Sequence, residues 1–348
     1  MKKITIGKFT IGAKNPCFII AEAGVNHNGK LELAKKLVDV AKEAGADAVK
    51  FQTFTTENIV TKTADMAEYQ KKNVKIQESQ FAMLKKLELS HKDFIELKNY
   101  CDKKGILFLS TPHTDDAVDF LAPLMPAYKI ASGDLTNIPL LEKIAKKKKP
   151  IILSTGMGTI AEIKEALNAI KKQGNNEIVI LHCTSNYPCP LEDVNMSAMQ
   201  TLQKTFPCPI GYSDHTQGVL VPIMAVTLGA VVIEKHFTLD KEMPGPDHIA
   251  SLSPQELKEV VENIRNCEQA LGSGRKAPSA AEKRVALIAR KSIVAAKDIK
   301  KGQRITKTML AIKRPGNGIK PKYLSEIIGK KATRDIKKDS LLKFNDVR

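Results

Sequence analysis

Eight short apolar runs, each ending in a polar cluster and followed by a segment of helical periodicity, constrain this chain more than any other feature. They run from Cys17 to Glu22, Ala48 to Gln52, Ile106 to Ser110, Ala127 to Ser132, Pro150 to Ser154, Ile178 to His182, Pro209 to Tyr212 and Ala230 to Glu234. Strands alternating with helices imply a parallel sheet, because each crossover has to return across a face of that sheet. Eight such units in about 250 residues close into an α/β (β/α)8 TIM barrel, in which function is carried at the strand C-termini. Glu22, Lys50, Gln52, Thr111, Lys129, Ser132, Ser154, His215 and His236 all fall at or just past those ends.

With 348 residues the chain is longer than such a barrel. We expect a barrel domain over 1–271, closed by a helix from Pro254 to Leu271, and a linker over 272–290 that includes GSGRKAPSAAEK. A small β-rich domain is expected over 291–348, where KDIKKGQRI and RDIKKDSLL read as two copies of one strand-turn-strand element. The core of so short a segment is marginal alone, so it is expected to dock on a barrel, its own or a partner's. The excursion from Thr53 to Ser79 has few large apolar residues and reads as a loop over the barrel mouth.

Apolar residues make up 43% of the chain, yet no apolar run nears the roughly 18 residues of a membrane span. Met1 to Lys8 leads into a strand rather than a long apolar signal segment, and the six cysteines form no CxxC pair. These features point to a cytoplasmic chain with buried thiols and no membrane partner. The net charge of +17 is spread over helix surfaces where Lys alternates with Glu, with no aromatic platform beside it. That is the pattern of a solvated surface rather than of a nucleic-acid partner, although the excess also steers anionic substrates inward.

His215 in GYSDHT and His236 in IEKHFT lie at the ends of neighbouring strands, where two imidazoles either share a divalent metal or are separately hydrogen-bonded. Without a closed set of four ligands, the metal reading favours a water-rich ion such as Mn²⁺ or Mg²⁺ over structural zinc. Asp214 is a candidate for orienting His215. Lys50 and Lys129 interrupt apolar strands, and a buried ammonium requires a compensating anion, either Glu22 or a bound ligand; a Schiff-base lysine is the competing use. The Ser132-Gly133-Asp134, Ser154-Thr155-Gly156 and Thr184-Ser185 ends are either plain turns or a phosphate site built from hydroxyls and backbone N–H groups. Glu22, Asp134 and Asp247 are candidate acids, bases or polyol-binding groups, Asp247 being equally readable as a cap. Arg314 sits in the KRPGNG loop, whose plainer reading is a surface turn.

Taken in order, IAEAGVNHNG, VKFQTF, YKIASGD, ILSTGMG, LHCTSNYP, GYSDHT, IEKHFTLD, GPDH and KRPGNG resemble the sialic acid (N-acetylneuraminate) synthase family, which includes legionaminic and pseudaminic acid synthases. The resemblance runs from about Pro16 to the end of the chain, and its last segment resembles the antifreeze-like (SAF) domain of those enzymes. It implies metal-dependent condensation of phosphoenolpyruvate (PEP) with N-acetylmannosamine or a close 2-acetamido analogue, with phosphate leaving by C–O cleavage. The 6-phosphate and 2,4-diacetamido-2,4,6-trideoxymannose are the alternative acceptors.

By the same resemblance, His215 and His236 hold the metal, expected as Mn²⁺ with Mg²⁺ or Co²⁺ as alternatives. Lys50, Gln52, Thr111 and Lys129 meet PEP, with Ser132, Ser154 and Ser185 on its phosphate. Glu22, Asn73, Tyr187, Asp247 and Arg314 meet the acceptor, Arg314 arriving from the other protomer of a domain-swapped homodimer. Glu22, Lys50, Lys129 and Asp134 are the expected catalytic set, and Asp134 stands where many bacterial relatives carry a glutamate. The non-enzyme alternative is a carbohydrate-binding protein with a silent barrel, against which the intact lysines and histidines argue.

Overall fold

The inward- and outward-facing residues of one closed set of strands sort the apolar side chains of the barrel into two cores. The computed structural model describes residues 3–68, 70, 71 and 78–348, and these divide into two compact units, Met1–Gly272 and Ser273–Arg348.

The first unit opens with a hairpin of β1 (Ile4–Ile6) and β2 (Phe9–Ile11). Eight parallel strands follow: β3 (Phe18–Gly24), β4 (Ala48–Thr53), β5 (Leu107–Pro112), β6 (Tyr128–Ile130), β7 (Ile151–Ser154), β8 (Ile178–Cys183), β9 (Ile210–Asp214) and β10 (Val232–His236). They are ordered β5-β4-β3-β10-β9-β8-β7-β6, and β5 and β6 pack side by side to complete the ring. At that seam the Ser110 N–H donates to Met125 Sδ at 3.0 Å instead of to a β6 carbonyl. The expected runs and the observed strands coincide to within two residues at each start, as continuous apolar stretches of parallel strands should.

The hairpin was not anticipated in the sequence reading. Its Ile4, Ile6 and Ile11 join Phe18, Ile20, Ala48, Leu109, Ile152, Val179, Leu181 and Val232 in one core. These are residues from the early, inward-facing positions of the barrel strands, so the hairpin plugs the barrel floor and leaves the opposite end for chemistry.

Helices cover the outer face. In α1 (Leu31–Glu43) the buried residues Ala34, Leu37, Val38 and Ala41 recur at helical spacing, which presents one apolar stripe to the sheet. Further along lie α2 (Thr56–Ile59), α3 (Gln80–Lys85), α4 (His91–Lys104), α5 (Asp115–Leu121), α6 (Ile138–Lys146), α7 (Ile160–Lys172), α8 (Ala198–Thr205), α9 (Leu220–Thr227) and α10 (Pro254–Leu271). The last begins with a Ser253–Glu256 capping box and Pro254 in its first turn, which is why its start was legible. The Thr53–Ser79 excursion is more than an open loop: Phe54 and Met66 pack with Val25, Met83 and Leu87 in a small apolar cluster of their own.

The second unit opens with a helix. Residues read as a linker fold into α11 (Ala280–Ala289), started by a capping box between Ser279 and Glu282. Beyond it, β11 (Ser292–Ala295) pairs antiparallel with β12 (Leu310–Lys313), and α12 (Leu324–Ile327) follows. The two repeats meet at a bridge between Ile299 and Ile336, each donating its N–H to the other's carbonyl at 2.8 Å. The flanking contacts are reciprocal: Asp298 accepts from the Lys338 N–H and Asp335 from the Lys301 N–H, both at 2.8 Å. The repeat is therefore a local two-fold, with Ile293, Ile299, Ile305, Ile336 and Leu342 in its core.

Candidate active site

Alternation along a strand decides which side chains reach the barrel axis. On β10, Glu234 and His236 point inward, while Lys235 between them turns out to Asp214 at 2.5 Å. On β4, Lys50 and Gln52 point inward, and on β5 Thr111 does. Together with Glu22, His113, Lys129, Ala131, Ser132, Ser154, Cys183, Tyr187, Ser213 and His215 they line one cavity at the C-terminal end of the barrel.

Two ammoniums and two carboxylates form its floor. Lys50 Nζ lies 2.8 Å from Glu22 Oε2, 3.8 Å from Glu234 Oε2 and 3.0 Å from Thr111 Oγ1. Lys129 Nζ lies 3.3 Å from Glu234 Oε1, which also accepts from Ser213 Oγ at 3.0 Å. Gln52 Nε2 donates to Glu22 Oε1 at 3.2 Å. Burial pushes the Glu22 carboxyl up to about 7: the 2.8 Å ion pair with Lys50 pulls it down but does not offset desolvation and repulsion from Glu234. Burial works against ionised Glu234 as well, but Lys129 and Lys50 together hold it below the usual carboxylate range. Burial lowers Lys129, whereas Glu22 and Glu234 overcome the same effect at Lys50 and raise it. Glu234 was not among the residues nominated from sequence, yet it is the shared counter-charge of both lysines.

Ser132 and Ser154 bring hydroxyls to the same cavity as Lys129. Ser132 Oγ accepts from the Gly156 N–H at 3.0 Å, and a Cβ on Gly156 would collide with both Ser185 Oγ and Ser132 Oγ, so only glycine lets those hydroxyls close over the backbone there. Ser154 Oγ is buried, with no hydrogen-bond partner among the described residues. An unsatisfied buried hydroxyl beside an ammonium favours an anionic ligand.

Across the cavity the His215 and His236 rings lie 5.5 Å apart, centroid to centroid, with Tyr187 at 3.9 Å from the first and 5.7 Å from the second. His215 Nδ1 donates to the Thr184 carbonyl at 2.7 Å, which leaves Nε2 with the lone pair. His236 Nδ1 is buried without a hydrogen-bond partner among the described residues and stands 4.0 Å from Asp247 Oδ2. Burial, with His215 and the lysines nearby, holds His236 well below the usual imidazole value, in its neutral, ligating form. Burial raises Asp247 to about 6, against the lowering effect of His215. The described residues contain no cluster of three or more His, Cys, Asp or Glu side chains placed to hold a metal. Two adjacent imidazoles with a carboxylate at the edge fit an ion that keeps several waters, and not a closed zinc site.

Two expectations change. Asp214 does not orient His215: it is taken up by Lys235 and by Thr216, whose N–H and Oγ1 donate to it at 3.0 and 3.1 Å. Asp134 does not line the cavity; it sits in the short turn Ser132–Asp134, with Oδ2 3.3 Å from His113 Nδ1, and His113 is the lining residue. Asn73 lies outside the described residues. Arg314 belongs to the second unit. All six cysteines are free thiols. Among the described residues no helix is long and apolar enough to cross a membrane.

A TIM barrel of this kind, with buried lysines and imidazoles at its open end, followed by a small β unit, has known counterparts. Residues 37–276 match the NeuB family and residues 290–348 the SAF domain, and the chain belongs to the NeuB family. It is 51% identical to the N,N'-diacetyllegionaminic acid synthase of Campylobacter jejuni over 93% of this chain and 98% of that one. It is 48% identical to the enzyme of the same name from Legionella pneumophila, over 97% and 96%. The crystal structure of an N-acetylneuraminic acid (sialic acid) synthetase from Leptospira borgpetersenii superposes with a TM-score of 0.72 at 38% identity, covering 82% of this chain and 95% of that one. The protein is a synthase of the sialic acid type, an enzyme that condenses PEP with an amino sugar.

Proposed function

We propose that the acceptor is 2,4-diacetamido-2,4,6-trideoxymannose in its open-chain form, and that the product is N,N'-diacetyllegionaminic acid. The observation that carries the reaction is the pair of buried ammoniums, Lys50 and Lys129, beside an unpartnered Ser154 hydroxyl in a cavity that also holds two imidazoles. The relatives support this acceptor, with 48–51% identity to the two legionaminic acid synthases against 38% to the Leptospira sialic acid synthetase. N-acetylmannosamine, the acceptor expected from sequence, becomes the second choice.

Lys50, Thr111 and Lys129 bind PEP, with Ser132, Ser154 and Ser185 on its phosphate and Gln52 alongside. Glu22, Tyr187 and Asp247 bind the acceptor, and Arg314 of the partner subunit completes the site in a domain-swapped dimer. His215 and His236 hold a divalent ion, Mn²⁺ in preference to Mg²⁺ or Co²⁺, and the chemistry supplied by that ion when bound is polarisation of the acceptor carbonyl. PEP C3 attacks the aldehyde carbon, and the cation left at C2 is stabilised by Glu22 and Glu234 beneath it. Water adds at C2 and phosphate departs with the C2–O bond electrons. The lysines lean on the two carboxylates, so PEP binds by exchanging carboxylate contacts for its own phosphate and carboxylate.

Phosphate release from PEP with Mn²⁺ and one acceptor at a time tests the reading. Release with the 2,4-diacetamido sugar alone supports it. Release only with N-acetylmannosamine or its 6-phosphate overturns the acceptor assignment, and release with none of them overturns all three acceptors.

A further inference from the structure

We propose that His113 is the proton-transferring base of this condensation and that Asp134 is the residue positioning it. The proposal rests on the PEP-condensation reading of the same cavity. Thr111 lies in β5 and His113 one residue past its end, and both line the cavity. His113 is held at three points, one on its backbone and two on its ring. Its backbone N–H donates to the Thr53 carbonyl at 3.2 Å, its ring meets Phe54 edge-on at 6.3 Å, and its Nδ1 faces Asp134 Oδ2 at 3.3 Å. Asp134 is itself tethered, accepting from Asn137 Nδ2 at 3.3 Å through its other oxygen. With Nδ1 directed at the carboxylate, Nε2 is the nitrogen left to meet the cavity's occupant.

The other titratable groups lining the cavity are committed. Glu22 and Glu234 pair with the lysines, Cys183 lies against His215 at 3.7 Å, Tyr187 stacks on His215 and is assigned to the acceptor, and His215 and His236 are assigned to the ion. His113 is the remaining imidazole, and an imidazole oriented by a carboxylate is the usual means of taking a proton from water.

As the water oxygen forms its bond to C2, one water proton passes to His113 Nε2, and Asp134 stabilises the imidazolium. The second water proton leaves the C2 hydroxyl as that oxygen becomes the carbonyl, the C2–O(phosphate) bond breaks with its electrons on oxygen, and phosphate departs carrying this proton. The imidazolium returns the first proton to the alkoxide made from the aldehyde oxygen. No oxidant, reductant or further reactant is needed.

The test uses the full-length metal-loaded enzyme with PEP and whichever acceptor it turns over. His113→Ala is expected to lower kcat by about 100-fold, within the range for loss of a general base, while the KM for PEP changes by less than about threefold. Imidazole added to His113→Ala should restore kcat by at least about tenfold, which lost packing cannot explain. Asp134→Asn should lower kcat less than His113→Ala, again with little change in KM. In the His113→Ala background Asp134→Glu, one methylene longer, should recover part of the lost kcat by reaching the water directly. Unchanged kcat in His113→Ala, or a fall that imidazole leaves untouched in a variant with the wild-type melting temperature, overturns the assignment. Wild-type turnover measured in parallel separates the failures: none overturns the reaction itself, whereas normal turnover with an unaffected His113→Ala overturns the dyad alone.

Discussion

Two buried carboxylates 3.8 Å or less from the same ammonium are driven in opposite directions, Glu22 up and Glu234 down, and that split sorts their roles. A carboxyl whose folded-state value lies above its unfolded one binds its proton more tightly when folded. Its contribution to stability is present at low pH and lost as pH rises from about 4.5 through about 7. Glu22→Gln is neutral throughout, so the wild type should lose about 2–3 kcal/mol relative to this variant between pH 5 and pH 8, measured by urea unfolding. Comparison with the variant is essential. Asp247, raised to about 6, acts in the same direction, whereas the burial-depressed His27 and His248, both at about 4, destabilise the fold as pH falls below the ordinary imidazole range. Glu234→Gln leaves two buried ammoniums with one carboxylate and should cost about 3 kcal/mol in the same assay. Inorganic phosphate should raise the melting temperature of Glu234→Gln more than that of the wild type, and an equal rise in both would show that Glu234 is not the counter-charge. Lys50 and Lys129 were legible because a charge inside an apolar strand stands out. Glu234 and His113 were not, since a carboxylate two residues before one histidine and a histidine two residues after a threonine declare themselves only once strand direction fixes which side chains share a face.

At the level of elements, the barrel strands were readable because parallel strands covered on both faces are continuously apolar. The floor hairpin was not, because three-residue strands fall below any periodic window, and only their pairing and the buried Ile4, Ile6 and Ile11 reveal them. Helix α11 was readable in principle: Ser279 and Glu282 form the S-x-x-E box, but Gly and Pro just before it turned the segment into a linker. The repeat was legible as sequence and became structure through reciprocity. Ile299 and Ile336 are each 1% exposed and occupy equivalent places across the local two-fold. Ile299→Ala and Ile336→Ala should therefore destabilise the second unit by equal amounts, about 3 kcal/mol each. Calorimetry of the full chain checks this by resolving a transition for Ser273–Arg348 that moves down while the barrel transition stays in place. Unequal shifts would mean that the two halves only resemble each other in sequence.

The proposed assembly sets the largest scale, because the second unit carries Arg314 while the first carries every residue of the cavity. In a domain-swapped dimer each site combines one protomer's barrel with the other's Arg314, and two differently damaged chains can then repair each other. His236→Ala alone should be inactive, having lost one of the two imidazoles proposed to hold the ion. Arg314→Ala alone should raise the acceptor KM and leave the KM for PEP nearly unchanged, because only acceptor contacts are lost. Co-expressed with separate tags and purified as the mixed dimer, the pair is informative. The Arg314→Ala barrel is intact and receives Arg314 from the His236→Ala chain, so one site per dimer should turn over with the wild-type acceptor KM. If each barrel instead uses its own Arg314, no site in the mixed dimer is whole, and the raised KM of Arg314→Ala persists. The measurement depends on neither the acceptor's substituents nor the identity of the ion, since both are common to every protomer, and it reads only which chain completes which site.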